Sequence, residues 1–467
     1  MPTSPRDESL TPDQKALAIN LDKLKYGTIV EIGAGQETAR LFFSAGAAAG
    51  TIAKTMSAYD MSVSDDIYGK VGRYVSRDRL EQMLGREYDL VVNRLKDVRP
   101  QGTTFFAYAA TVTAKSYKGN TECHGWIGIR VQLRPGAEPC DVILHVRMLD
   151  DDNRLQSEAL GILGVNLIYG VFHYHERPKE LIDSLSDALG SDRIEVDLID
   201  MQGPEFRQVE SRLMNLHLIR AWQTRAVMFD ADGRSVVPAE MLYRKSAMVI
   251  RGSFKPPTRV HVDMTESGLK QFLRHHQVQR ENVVVMAEIT MSELVTEEHI
   301  ADSDFLARVD LLSSLGYNVL ISDYVRFFRL RSFLRRYTQD PIGIVLSVLD
   351  FDYLFNEQYY EGLEGGILEA MGKLFPDNTQ VYVYPTRAQG ELLSLENIRV
   401  PDHLRYLLRH LVSNRLMIAS DEYDERHLHI SARRIAEEIP QGRGEWEQQL
   451  PEIVTRQILE RKLFGLP

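Results

Sequence analysis

The sequence predicts an α/β protein: an N-terminal α+β unit, then a βα-repeat parallel-sheet unit, barrel or doubly wound, and a helical C-terminal region. Three observations predict it. Beyond residue 190, apolar strand-like runs and helical stripes alternate at spacings of roughly 25 to 35 residues. Before residue 150, a long helical stripe is followed by strand-like runs joined at turn residues. The 467 residues also exceed the roughly 250–300 at which a single core stops growing. The expected organisation is a flexible leader at 1–22, the α+β unit at 23–150, the βα unit at 151–385 and the helical region at 386–467.

The first regular signal is Tyr26–Glu31, an apolar run entering a turn at Gly33 and Gly35. A helix is expected over Glu37–Tyr59, where Gly46 and Gly50 should face another backbone or a ligand, because a glycine inside a helix costs about 1 kcal/mol relative to Ala. Arg79–Leu95 returns Leu80, Met83, Leu84, Tyr88, Val91 and Leu95 to one helical face. Strands are expected at Thr104–Ala114, Trp126–Leu133 and Val142–Met148, the last two an antiparallel pair around Pro135-Gly136. The polar run Asp150–Asn153 marks the edge of this unit.

The later strands are expected at Ile194–Ile199, Arg259–Asp263, Val283–Glu288, Asn318–Ser322, Ile342–Val348 and Gln380–Tyr384. Helices are expected at Glu266–His276, Phe305–Leu315, Arg326–Tyr337 and Tyr359–Leu374. Asp232-Gly233, between two apolar runs, reads as a tight hairpin turn. Ile453, Val454, Ile458, Leu459 and Leu463 form one stripe, read as a tail helix docked on the body or on a partner subunit.

Composition narrows the function classes. Lys plus Arg is 55 against 66 for Asp plus Glu, a net charge of -11, so no nucleic-acid partner is expected. Two cysteines, Cys123 and Cys140, frame no disulfide scaffold and fit a reducing compartment. Residues 1–22 carry no apolar signal region, and the most lipid-like stretch, Leu41–Ala53, is short of the roughly 20 residues a spanning helix needs. A cytoplasmic, soluble protein with no membrane partner is therefore expected.

Candidate ligand residues come from position. In parallel sheets the carboxyl ends of strands build the ligand site, and the expected βα strands end near Asp200, Asp263, Glu288 and Asp323. Asp263, Glu288 and Asp323 are taken as one shared site, with Arg326 as an answering cation. Helix capping competes with that role at Asp263 and Asp323. Gly33 and Gly35 suggest close approach of a backbone to a phosphate or nucleotide, although Thr38 stands where a dinucleotide fingerprint needs its third glycine. Lys118 and His124 lie in a loop rich in reactive groups, Lys115–Trp126, and are taken as ligand contacts. His173 and His175 would share one side of a strand, and Asp197, Asp200 or His261 could supply a third ligand only if the fold brings them together, so no metal site is assigned and no cofactor is inferred.

The segments Glu31-Ile-Gly-Ala-Gly35, Ala53-Lys-Thr-Met-Ser-Ala-Tyr-Asp60, Glu122-Cys-His-Gly-Trp126 and Leu363-Glu-Gly-Gly-Ile-Leu-Glu369 resemble a bacterial protein family of about this length. The resemblance spans almost the whole chain. Members carry two discordant labels, nicotinate-nucleotide adenylyltransferase and TonB-dependent receptor. The first would require a His-x-Gly-His motif near a first strand, which this chain lacks, and the second a signal peptide and many alternating strands. The residues themselves support an enzyme or sensor that binds a small phosphorylated or nucleotide ligand between the N-terminal unit and the βα unit. The alternative is a non-catalytic, self-assembling scaffold. It rests on the small-residue helix, the Arg-Phe segment Arg326–Arg336 and the tail stripe, and makes the chain its own partner as a homo-oligomer.

Overall fold

In the computed structural model, which describes residues 10–115, 122–294, 301–376, 378–388 and 390–467, the first apolar run is a strand, β1 (Lys25–Ile32). It is preceded by helix α1 (Pro12–Leu21), inside the segment expected as a leader. Thr11 starts that helix: its side chain accepts the Gln14 N–H while Gln14 accepts the Thr11 N–H, which satisfies two end donors reciprocally. The chain divides into two units, Met1–Arg225 and Ala226–Pro467, so the division falls well beyond the expected edge at 150.

In the first unit, β1 is followed by α2 (Glu37–Ser44), β2 (Ile52–Met56), α3 (Arg77–Leu95), β3 (Thr104–Thr113), β4 (His124–Val131), β5 (Cys140–Met148), α4 (Asn153–Tyr174) and β6 (Ile194–Gln202). The open six-stranded sheet has the order β2-β1-β3-β4-β5-β6; β1 pairs parallel with β2 and β3, and the rest is antiparallel. The expected helix over Glu37–Tyr59 is therefore a helix, a turn and a strand. Gly46, at φ +85°, serves the turn, and neither Gly46 nor Gly50 has any atom within 4 Å of an added Cβ.

The close approach lies instead in α4. A Cβ on Gly164 would sit 2.4 Å from Thr38 Oγ1 and 2.6 Å from the Tyr108 hydroxyl, and one on Gly161 would sit 2.5 Å from Glu37 Cβ. By length and composition α4 is apolar enough to cross a membrane, a feature the sequence reading assigned to no segment. Here 67% of its most apolar window is buried within the fold. His173 lies on this helix rather than on a strand, stacked on Tyr169 at 4.0 Å. Helical geometry turns residues two apart away from each other, so His173 and His175 do not aim to one side. Among the described residues no group of three His, Cys, Asp or Glu is placed to hold a metal ion.

The second unit begins with the hairpin β7 (Ala226–Phe229) and β8 (Ser235–Val236), whose Asp230 accepts the Asp232 and Arg234 N–H groups around Gly233. Then follow β9 (Ser246–Arg251), α5 (Arg259–His276), β10 (Val283–Thr290), α6 (Asp302–Ser314), β11 (Asn318–Ser322), α7 (Phe327–Tyr337), β12 (Ile342–Ser347), α8 (Gly366–Leu374), β13 (Thr379–Tyr384), the small hairpin β14 (Thr386–Ala388) and β15 (Glu391–Leu393), β16 (Met417–Ala419) and α9 (Glu452–Arg461). The eight-stranded sheet runs β16-β13-β12-β9-β10-β11-β7-β8. The six strands β9 to β13 and β16 are parallel, and β7 closes on β11 antiparallel. The fold is thus mixed α/β with a parallel-rich second sheet and C-terminal helices. Both sheets are open, so the barrel alternative does not apply.

Three assignments change; the helix expected over Tyr359–Leu374 is confined to α8, with turns before it. Arg259–Asp263 is the first turn of α5, not a strand, and the strand beside it is β9, in the middle of the sheet. Ile194–Ile199 is a strand, but it belongs to the first sheet. Most of the tail stripe packs internally: Val454 and Ile458 of α9 are fully buried with Leu311 of α6 and with Ile435, Trp446 and Leu450, whereas Leu459 is exposed. On α7, Phe327, Phe328, Leu330 and Phe333 are buried. Arg331 donates to the Pro376 carbonyl at 2.9 Å, and Arg335 to the Thr338 and Asp340 carbonyls at 3.1 and 2.9 Å.

Candidate functional site

The parallel strands of the second unit all present their carboxyl ends to one edge, and their order reverses direction at β9. From β9 the chain adds β10 and then β11 on one side; β12 returns to the other side of β9 and is followed outward by β13 and β16. At such a reversal the connections leave the sheet in different directions and open a crevice. A cavity of about 520 Å³ lies there, lined wholly by residues of the second unit.

Its floor is an ion pair. Arg251, the last residue of β9, donates from Nε and a terminal nitrogen to the two carboxylate oxygens of Glu288 on β10, at 2.8 and 2.9 Å. Ser322 at the end of β11 donates to the same carboxylate at 2.6 Å. Arg251 also donates to the Val325 and Tyr324 carbonyls, both at 2.6 Å, and its guanidinium lies 4.2 Å from the centre of the Phe327 ring. Glu288 is 0% exposed, so its charge is answered inside the protein. The pair joins neighbouring strands through a bidentate contact, the geometry in which a buried charge is best compensated.

The walls are less committed. Arg387 follows β13 and Arg433 lies in the C-terminal part; both line the cavity. Arg387 holds Glu425 only at 3.9 Å and Arg433 holds Glu437 at 3.5 Å, with the two side chains 42% and 91% exposed. Hydroxyls from Ser253, Thr290, Ser292 and Ser347 lie at the ends of β9, β10 and β12. His261, in the first turn of α5, accepts the Thr258 N–H at Nδ1, 3.0 Å away. That acceptance leaves the ring proton on Nε2. Burial lowers the His261 pKa to about 4, so the ring is a neutral donor at pH 7.

Asp350, just after β12, accepts the Ser347 N–H at 3.0 Å. Burial is the main cause that raises its pKa to about 6; that hydrogen bond and Arg251 oppose the rise, and Glu293 adds to it. Loosely held arginines, a neutral imidazole donor and a carboxyl that exchanges protons near neutrality are side chains with the chemistry to hold an anionic group and to give or take a proton beside it.

The residues singled out by sequence are scattered. Glu288 reaches the site only as the support beneath Arg251. Asp263, on α5, accepts from the Tyr384 hydroxyl and from the Asp424 N–H at 2.9 Å and is outside the cavity lining. Asp323 follows β11, and Arg326 precedes α7 as its N-cap residue; neither lines the cavity. Asp200 is on β6 in the first sheet, bonded to Arg77. Gly33, Gly35 and His124 belong to the first unit, and Lys118 lies outside the described residues.

The glycine turn of the first unit is occupied by the protein itself. The Glu31 carboxylate accepts the Thr38 and Ala39 N–H groups at the start of α2, each at 3.0 Å, so a side chain sits where an anion would. A Cβ on Gly33 would fall 2.0 Å from the Val112 carbonyl oxygen, and the Gly35 N–H donates to the Tyr59 hydroxyl at 2.8 Å. Close backbone packing therefore explains Gly33, and the left-handed backbone at φ +87° explains Gly35. The signal for this was an acid, Glu31, two residues before the turn begins at Gly33.

No family model matches the chain, and no curated protein matches it. Solved structures similar to part of it include a competence-damaged protein (CinA) superfamily protein from Enterobacter cloacae, 15% identical with a TM-score of 0.28, covering 37% of this chain and 98% of that one. The competence/damage inducible protein CihA from Agrobacterium tumefaciens is 17% identical with a TM-score of 0.24, covering 36% and 97%. A Vibrio parahaemolyticus protein described as a nicotinate-nucleotide adenylyltransferase is 13% identical with a TM-score of 0.20, covering 47% and 96%. None of the three is a TonB-dependent receptor. Similarity at these scores carries no argument about this chain's activity.

Proposed function

We propose that the second unit binds a small phosphorylated or nucleotide ligand in the cavity at the carboxyl edge of its sheet, as an enzyme or a sensor. The observation that carries this reading is the pairing of a preformed crevice at the strand-order reversal with two weakly paired arginines, Arg387 and Arg433. A volume of about 520 Å³ falls within the usual range for small-molecule sites. The ligand chemistry follows from the walls: cations and hydroxyls suit phosphate oxygens, and the Nε2–H of His261 supplies one more donor. The acids marked in the sequence serve as internal supports in this reading.

Calorimetric titration of the full-length protein with AMP, adenosine and inorganic phosphate tests it. AMP is expected to bind and to raise the melting temperature, while adenosine does neither. The double variant Arg387→Ala, Arg433→Ala should weaken AMP binding by about tenfold or more, the loss typical of removing charge-assisted contacts. Absence of binding by all three probes, or equal binding by AMP and adenosine, would overturn the reading.

A further inference from the structure

The first unit contains a chain of buried titratable groups with no counterpart in the second unit's cavity. β4, β5 and β6 lie side by side, and the register between β5 and β6 breaks after His145: His145 is opposite Leu198, while Val146 is opposite Val196. The residue skipped by this bulge is Asp197. Bulges re-aim a side chain, and here the carboxylate meets the His145 ring, with Oδ1 2.6 Å from Nδ1. His145 Nε2 is in turn 3.2 Å from Nδ1 of His124, the first residue of β4. The side chains of Asp197 and His145 are 3% and 2% exposed, and His124 is half-buried.

A carboxylate only accepts, so His145 carries a proton on Nδ1; with His145 otherwise neutral, its Nε2 accepts from the Nδ1–H of His124. The remaining nitrogen, Nε2 of His124, is left with its lone pair. We propose that Asp197, His145 and His124 form a proton relay in which Nε2 of His124 is the general base of a hydrolytic or group-transfer step in the first unit. This is independent of the ligand reading for the second unit.

The surroundings favour the unprotonated base. Burial, then His145, and the charges of Arg147 and Arg73 disfavour the imidazolium, against Asp197, and bring the His124 pKa to about 4, so Nε2 is unprotonated at neutral pH. Arg147 is held between Glu122 at 3.0 Å and Glu195 at 2.6 Å, on the strands flanking the histidines. In the reaction, Nε2 takes the proton of a water or substrate hydroxyl. The oxygen keeps the electron pair and forms its bond to an electrophilic carbon or phosphorus. His124, now cationic, is stabilised through its Nδ1–H by the His145–Asp197 pair, and it returns the proton to the leaving group as that bond breaks. His145 and Asp197 act as positioning residues.

Histidine-labelled protein observed by two-bond proton–nitrogen correlation spectra, with His124→Gln for assignment, reads the protonation directly. The expected result is a proton on Nδ1 alone of His124 between about pH 6 and 8. A proton on Nε2 would overturn the relay, and this measurement needs no substituted chain beyond the assignment. Diethylpyrocarbonate, followed by peptide mapping, then reads nucleophilicity. His124 should react, and Asp197→Asn should slow it by about tenfold or more relative to exposed His429 in the same sample. An unmodified His124, or a rate unchanged by Asp197→Asn, would also overturn the proposal.

Discussion

The two units place a strand, a turn and a helix in similar succession, yet they treat the helix N-terminus differently. After β1 the first amides of α2 are taken by the carboxylate of Glu31, which cancels the positive end of the helix from within. After β9 the N-cap amide of α5 is taken by the neutral ring of His261, a cavity-lining residue that brings no negative charge. A glycine turn before a helix is therefore not itself an anion site. What decides is whether the protein has already filled it with an acid. The units differ in the same way lower down: the first uses glycines on a buried helix for close packing, and the second uses a bidentate ion pair beneath its cavity.

The largest test concerns that ion pair. Arg251→Ala leaves Glu288 buried without its partner and should cost about 3–5 kcal/mol in chemical denaturation, in the transition of the second unit. Replacing both members together, Arg251→Met with Glu288→Leu, should recover much of that loss, because an apolar pair leaves no charge behind. A single-variant loss below about 1 kcal/mol would mean the cavity floor is open to water, and the contrast between the units would fail.

Asp350 gives a pH-dependent test of the same edge. Its folded pKa of about 6 lies above its ordinary 3.8, so the folded state binds the proton more tightly than the unfolded chain does. The contribution is therefore greatest at low pH and is lost as pH rises from about 4 to about 6, amounting to about 2–3 kcal/mol. Asp350→Asn should flatten that part of the stability–pH profile, measured by denaturation at pH 4.5 and pH 7. An unchanged profile would place the carboxyl in open solvent.

The smallest effect sharpens the packing contrast within the first unit. Gly164→Leu forces a side chain against Thr38 and Tyr108 and should cost about 1–3 kcal/mol, whereas Gly50→Leu meets nothing within 4 Å and should change stability by less than about 0.5 kcal/mol. Similar melting temperatures for the two variants would show that α4 shifts freely on the sheet.

Long periodic elements were legible because a repeated spacing leaves little choice. Arg79–Leu95, Asn318–Ser322 and Gln380–Tyr384 fall within a residue or two of α3, β11 and β13. Short segments were not. Arg259–Asp263 alternates apolar and polar residues as a strand would, but Thr258 caps it as a helix, and only the following turns show the helical face. β9 was hidden because Ser246–Arg251 sits beside a hairpin and reads as part of it. The site followed the same rule: the carboxyl edge of the βα strands was foreseeable from topology, whereas Arg387 and Arg433 reach it from segments with no pattern that ties them to that edge.

The sequence by itself determined that this chain is α/β, with a parallel-rich sheet preceded by an α+β unit, because hydrophobic period and turn chemistry are local properties. Only the tertiary structure decided that both sheets are open, that Asp263 and Glu288 serve separate contacts, and that Asp197, His145 and His124 meet across three strands. The reason is physical: a side chain's charge state and partners are set by whatever strand pairing and bulges bring beside it, and residues 52 apart in the chain, such as His145 and Asp197, carry no local trace of that meeting.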